Sequence, residues 1–129
     1  MADAPTRTDI MNHPAPMLKW QVYVIHTFPK NGLGPVMANI GPHLEYQQRM
    51  EKEGVYIAAG PHWADDEETW EGEGMIVVRA GSLAEARKIA EADPMHSSGA
   101  RDFRVRPWLI NEGTITVKVN FATGDYTVS

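Results

Sequence analysis

Between residues 20 and 110 the hydrophobic pattern changes period in a set order, and that order restricts the fold more than any other feature. Trp20 to Phe28 (Trp-Gln-Val-Tyr-Val-Ile-His-Thr-Phe) is β-branched and aromatic and reads as a strand. Its apolar run is nearly continuous, so both faces are expected to be covered. Pro29 to Pro35 reads as a loop by its Gly and Pro content. A helical region follows from Val36 to Glu53, interrupted at Gly41-Pro42. Pro42 suits a first helical turn, so the main helix is expected to begin there, and Gly54 marks its end. Val55 to Gly60 and Met75 to Arg79 read as the second and third strands. Residues 64 to 74, rich in Asp, Glu and Gly, read as a solvated, mobile loop between them. Ser82-Leu83-Ala84-Glu85 has the form of a capping box opening a helix with Leu83, Ala86, Ile89 and Ala90 as its apolar stripe. That helix ends at Asp93, and a polar turn from Met95 to Ala100 leads into a fourth strand, Arg101 to Ile110. There Arg104 and Arg106 lie on one face and Phe103 and Val105 on the other.

The order strand, helix, strand, strand, helix, strand is the split βαβ or ferredoxin-like arrangement, an α+β fold. It predicts an antiparallel sheet with both helices on one face. The other face must also be covered, and a homodimer packing sheet to sheet, a dimeric α+β barrel, is the natural solution. Beyond it, Thr114 to Val119 alternates with period two, Ala122 to Asp125 is a turn, and Tyr126 to Val128 returns. This reads as an appended C-terminal β-hairpin that caps an edge or clasps a partner subunit. The expected organisation is a loose N-terminal arm over residues 1–17, a domain over 18–112 and a hairpin extension over 113–129.

At 129 residues the chain is expected to hold one core. It contains no Cys, which removes disulfides, thiol nucleophiles and thiolate metal ligands from consideration. The formal charge is −5 with both signs mixed, so the basic stripe that nucleic acid requires is missing. No apolar run approaches the ~18 residues of a membrane span. Met1 to Pro16 has no apolar signal core. A cytoplasmic protein with a small-molecule partner is expected.

Two residues sit oddly for a purely structural role. Asp93 stands at a helix C-terminus, where the dipole disfavours negative charge, and Pro94 pins it there. It is either a turn-former or an acid with a partner. At about 100° per residue, His43 shares a helix face with Ile40, Gln47 and Met50. It is either a satisfied core histidine or a buried base awaiting an acid. His26 ends the first strand, and alone is more simply structural or solvent-facing. The contiguous acids of 64 to 74 lack an interleaved His and read as a solvated turn.

Several short motifs, in order, resemble the YciI-like (YCII-related) family of dimeric ferredoxin-like α+β barrel proteins over roughly residues 20 to 110. They are Val22-Tyr23-Val24-Ile25, Pro42-His43-Leu44, Ala58-Ala59-Gly60-Pro61, Ala92-Asp93-Pro94 with Gly99, and Val105-Arg106-Pro107-Trp108. The resemblance implies a His/Asp-centred active site, and the matching residues are His43 and Asp93. It also implies chemistry like that of a family branch that removes chloride from a chlorinated hydroxyhydroquinone, or of related barrels that isomerise muconolactone. The chain departs from short family members in its N-terminal arm, its 64–74 segment, His96 and its tail after Asn111.

Joined in this way, Asp93 would hold the imidazole of His43 in one tautomer, and His43 would move a proton in an apolar cleft. Ser97 and Ser98 sit in a Gly-containing turn and read as backbone caps, so no covalent nucleophile is expected. His26, His62, Trp63, His96, Arg104 and Trp108 are candidates for the substrate-binding wall, Arg for an anionic oxygen and Trp for a ring. His26, His62 and His96 could instead ligate a metal, but dense ligand spacing is absent and no cofactor is expected. The expected function is a small cofactor-free lyase or isomerase on a cyclic, aromatic-derived or lactone metabolite. The competing expectation is a non-catalytic dimeric ligand-binding or accessory domain.

Overall fold

A computed structural model of the protein describes residues 3–129. They fall into two compact units, one spanning Gln21–Leu109 and the other combining the residues before Gln21 with those after Leu109.

The chain begins with α1 (Arg7–Met11). Thr6 caps it: its side chain accepts from the Asp9 amide, and the Asp9 carboxylate accepts from the Thr6 amide. The arm expected to be loose therefore contains a capped helical turn. The elements of the Gln21–Leu109 unit are β1 (Trp20–Pro29), α2 (Leu33–Ala38), α3 (Ile40–Lys52), β2 (Tyr56–Trp63), β3 (Trp70–Val78), α4 (Leu83–Ala92), α5 (Pro94–Ser97) and β4 (Arg101–Ile110). The strands form one sheet in the order β2-β3-β1-β4. In β1 and β3, antiparallel pairs include Tyr23 with Val78, Ile25 with Ile76 and Thr27 with Gly74. This is the antiparallel ferredoxin-like sheet.

One face of the sheet carries the core. Tyr23, Ile25, Ile76 and Val78 pack with Ala86 and Ala90 of α4, flanked by Phe103 and Val105 of β4. Small residues at Ala86 and Ala90 let the helix lie close on the strands. Ser82 caps α4 by accepting from the Glu85 amide, and Glu85 reaches back to the amide of Gly81 rather than to that of Ser82. Gly54 follows α3 with φ +74°, the left-handed conformation that ends helices on glycine.

Three expectations change in detail. The helical region breaks at Asn39 rather than at Gly41-Pro42, and its first part, α2, begins in the segment expected to be a loop. The segment from Met95, expected to be a turn, begins with the helical turn α5. Strand β3 starts at Trp70, so half of the expected 64–74 loop is sheet. Its glutamates and glycines alternate: Glu71 and Glu73 face out, Gly72 and Gly74 face in. A Cβ on Gly72 would lie 2.6 Å from Pro29 Cγ and 2.7 Å from Leu33 Cδ2, so only glycine fits there. The remaining turn is organised by Asp66, whose carboxylate accepts from the Glu68 and Thr69 amides and the Thr69 hydroxyl.

In the other unit, β5 (Val117–Val119) and β6 (Tyr126–Val128) form the separate C-terminal hairpin, with Val117 opposite Val128 and Val119 opposite Tyr126. Among the described residues no helix is long and apolar enough to cross a membrane.

Candidate active site

Asp93 ends α4 with extended backbone angles (φ −65°, ψ 127°), as a residue before proline must. Pro94 then opens α5, and the Asp93 carboxylate caps that turn by accepting from the Met95 amide at 2.9 Å. An acid that looked misplaced at a helix end is thus the N-cap of the next turn, where its charge is favoured. α5 lies against both α3 and α4, which brings Asp93 to His43.

His43 Nδ1 lies 2.8 Å from one carboxylate oxygen of Asp93 and 2.9 Å from the other. A carboxylate only accepts, so Nδ1–H donates to both. Both residues are buried, His43 at 7% exposure and Asp93 at 1%. With Nδ1 committed, Nε2 is the ring nitrogen left to act on anything else.

His43 lines a cavity of about 390 Å³ between α3 and the sheet, within the range of small-molecule sites. Its α3 wall is Ile40, His43, Leu44 and Gln47; Ala59, Pro61 and Trp63 of β2 and Trp70 and Gly74 of β3 face them, with Thr27, Arg101 and, at the border, the exposed Glu73 as polar residues. Gly74 belongs here because a Cβ would press to 3.0 Å on the Gly60 carbonyl oxygen.

His96 sets the polarity of Thr27. Its Nδ1 lies 2.6 Å from the Ala90 carbonyl oxygen, so Nδ1 carries the proton and donates. Its Nε2 lies 2.7 Å from Thr27 Oγ1. Burial pushes the His96 pKa below its usual value; the Ala90 carbonyl and then Asp93 oppose it in part, and Arg101 and His43 add smaller lowering effects. In the neutral ring Nε2 accepts, and the Thr27 hydroxyl donates to it. The lone pairs of Thr27 are then what the cavity sees.

Arg101 was not among the sequence candidates. It begins β4 and is only 5% exposed. Its guanidinium sits over the Trp70 ring, 5.7 Å from the centroid, and its buried Nε has no hydrogen-bond partner among the described residues. Burial lowers its pKa, partly offset by the Asp93 carboxylate, yet a guanidinium stays charged. The sequence signal was strand parity: Arg101 shares the core-facing side of β4 with Phe103 and Val105.

Tyr46 and Tyr56 meet edge to face at 6.4 Å, and the Tyr46 hydroxyl donates to the Ile89 carbonyl. Burial first, then the Asp93 charge, pushes both phenol pKa values up, so both stay protonated.

The structure brings together His43 and Asp93, and of the expected wall residues only Trp63 lines the cavity, with His96 one hydrogen bond away through Thr27. His62 borders a separate depression with Trp63, Asp65 and Glu71. His26 pairs with Met75, one residue out of phase with the core-facing Ile25 and Ile76, and is exposed on the opposite face. Arg104 and Trp108 are exposed on that same face because their parity is opposite to Phe103 and Val105. These three do not reach the cavity. Among the described residues no group of three or more His, Cys, Asp or Glu is placed to hold a metal ion.

An antiparallel ferredoxin-like sheet, its helices on the core face and a buried His–Asp pair beside a cavity, defines a small α+β domain. A sequence model of the YCII-related domain matches residues 21–109, and the chain belongs to that family. The match coincides with the compact unit Gln21–Leu109. The fold is similar to that of 5-chloro-2-hydroxyhydroquinone dehydrochlorinase from Burkholderia phenoliruptrix, solved with 2,5-dihydroxybenzoquinone. The TM-score is 0.54 at 21% identity, covering 67% of this chain and 92% of that one. No curated protein matches the chain.

Proposed function

We propose that the chain is a small acid–base lyase that removes hydrogen halide from a hydroxylated, halogen-bearing ring, with His43 as the catalytic base and acid. The observation that carries this reading is the hydrogen bond that His43 Nδ1–H donates to both carboxylate oxygens of Asp93 at the wall of a largely apolar cavity. Asp93 keeps the proton on Nδ1, so Nε2 meets the substrate as a proton acceptor. A base in an apolar cleft next to a fixed carboxylate is suited to moving one proton out and another back. The reaction balances without an oxidant. A ring hydroxyl gives its proton to Nε2, and the proton is delivered to the halogen-bearing carbon, giving a ketone. Loss of the second hydroxyl proton then drives out the halide with its electron pair, leaving a quinone. The fold neighbour's named substrate, a chlorinated hydroxyhydroquinone, supports a quinol over a lactone.

The test is halide release from 5-chloro-2-hydroxyhydroquinone under anaerobic conditions. Wild type is expected to release chloride, and His43→Gln to lose about 10²–10⁴ in rate, the usual contribution of a general acid–base group. Absence of chloride release in wild type would leave a non-catalytic ligand-binding domain. The assembly proposed with this reading is a homodimer or higher homo-oligomer. The C-terminal hairpin supports it, because Val117, Val119 and Tyr126 are exposed on a two-stranded element that needs a partner surface.

A further inference from the structure

We propose that Arg101 is the anion anchor of the cavity, so that the ligand it takes is an ionised hydroxylated ring, with a phenolate or enolate oxygen on the guanidinium. This deepens the reading above and rests on it only in using the same cavity. A buried cation with no partner is costly, and such groups in folded proteins are normally paired. Arg101 is buried, lines the cavity, and has an orphaned Nε and no ion pair among the described residues. The one carboxylate that affects it, Asp93, is already engaged by His43 and the Met95 amide. Nε itself is sealed from the cavity, whereas the terminal guanidinium nitrogens are not among the buried unpartnered atoms, and they are what a ligand in the cavity lined by Arg101 would meet. The planar fork of a guanidinium suits an oxyanion and gives more than a point charge would. The guanidinium carbon lies over the Trp70 ring, 5.7 Å from its centroid, a contact that favours the cation.

Thr27 refines the ligand. Its hydroxyl proton is spent on His96, so it offers the cavity an acceptor and asks for a hydroxyl donor. His43 Nε2 is also an acceptor. Arg101 selects a ring that carries an ionised oxygen, and Thr27 adds a place for a hydroxyl where the ring keeps one; an ether brings Arg101 no charge and Thr27 no donor.

The experiment compares 2,5-dihydroxybenzoquinone, an acidic ring that is ionised at neutral pH, with its neutral 2,5-dimethoxy ether. Quenching of tryptophan fluorescence is followed in wild type, Arg101→Met and Arg101→Lys. Wild type is expected to bind the ionised ring at least about tenfold tighter than the ether, as one charge-assisted hydrogen bond allows. Arg101→Met is expected to bind both alike while its melting temperature stays level or rises, because an uncompensated buried charge has gone. Arg101→Lys is expected to keep part of the preference. An ionised-ring preference that survives in Arg101→Met overturns the proposal, as does a wild type that binds both probes alike or binds neither. The catalytic reading fails separately: a wild type with an Arg101-dependent preference that releases no chloride would keep the anion anchor and lose the lyase.

Discussion

Replacing Asp93 by Asn changes one atom and tests the whole geometry. Asp93 has three donor contacts, two from His43 Nδ1–H at 2.8 and 2.9 Å and one from the Met95 amide at 2.9 Å. The oxygen that caps Met95 also takes the shorter His43 contact, so an Asn carbonyl can replace it. The other oxygen becomes an NH₂, which cannot face an N–H at such a distance. The imidazole is expected to respond by moving its proton to Nε2, so that Nδ1 accepts from the amide. The cavity would then meet a donor in place of an acceptor. A lost hydrogen bond to a charged group is worth about 1.5–3 kcal/mol. At roughly 4 °C per kcal/mol for a domain of this size, the melting temperature should fall by about 6–12 °C. The assay is ¹⁵N NMR of histidine-labelled protein, in which protonated and bare ring nitrogens differ widely in shift, alongside thermal unfolding. The wild-type His43 signal should report Nδ1–H and the variant Nε2–H. An unchanged tautomer, with no loss of stability, would refute the reasoning.

Other outcomes follow from single contacts. Gly72→Ala combines a clash with Pro29 and Leu33 and a φ of +87°, and should cost about 1–3 kcal/mol, read as a lower urea midpoint with an unchanged slope. Because the folded pKa of His96 lies below its ordinary 6.5, the unfolded chain takes up the proton more readily. Its contribution is complete above that value and is lost as pH falls through it, so His96→Gln should flatten the loss of stability on acidification between about pH 7 and 5, measured by chemical denaturation. Ser82→Ala removes the acceptor of the Glu85 amide and should cost about 1 kcal/mol in the same measurement.

The strand and helix order was legible because period-two and 3.6-residue patterns alternate cleanly from Trp20 to Ile110, and the sheet order follows from that topology. His43 and Asp93 were each legible as oddities, since one faces its helix's apolar side and the other sits at a helix end. What hid was information that alternation carries only in context. Glu71-Gly72-Glu73-Gly74 has the composition of a loop, yet its period of two is that of a strand whose inner positions have no room for a Cβ. Thr6-x-x-Asp9 has the form of a capping box inside the segment expected to be a loose arm. Arg101 was passed over because Arg104 and Arg106 were assigned to a face and Arg101 was not; two residues from Phe103, it had to point with the core. His26, Arg104 and Trp108 were chosen by residue type, and parity puts them on the far face of the sheet.

The most direct test of the acid–base account is a crystal structure of the protein soaked anaerobically with 2-hydroxyhydroquinone, a halogen-free ring whose neutral hydroxyls can donate to an acceptor nitrogen. The account expects the ring in the cavity between α3 and the sheet, with one oxygen about 2.6–3.2 Å from His43 Nε2 and Asp93 still on Nδ1. A ring bound elsewhere, or an empty cavity at saturating ligand, would contradict it.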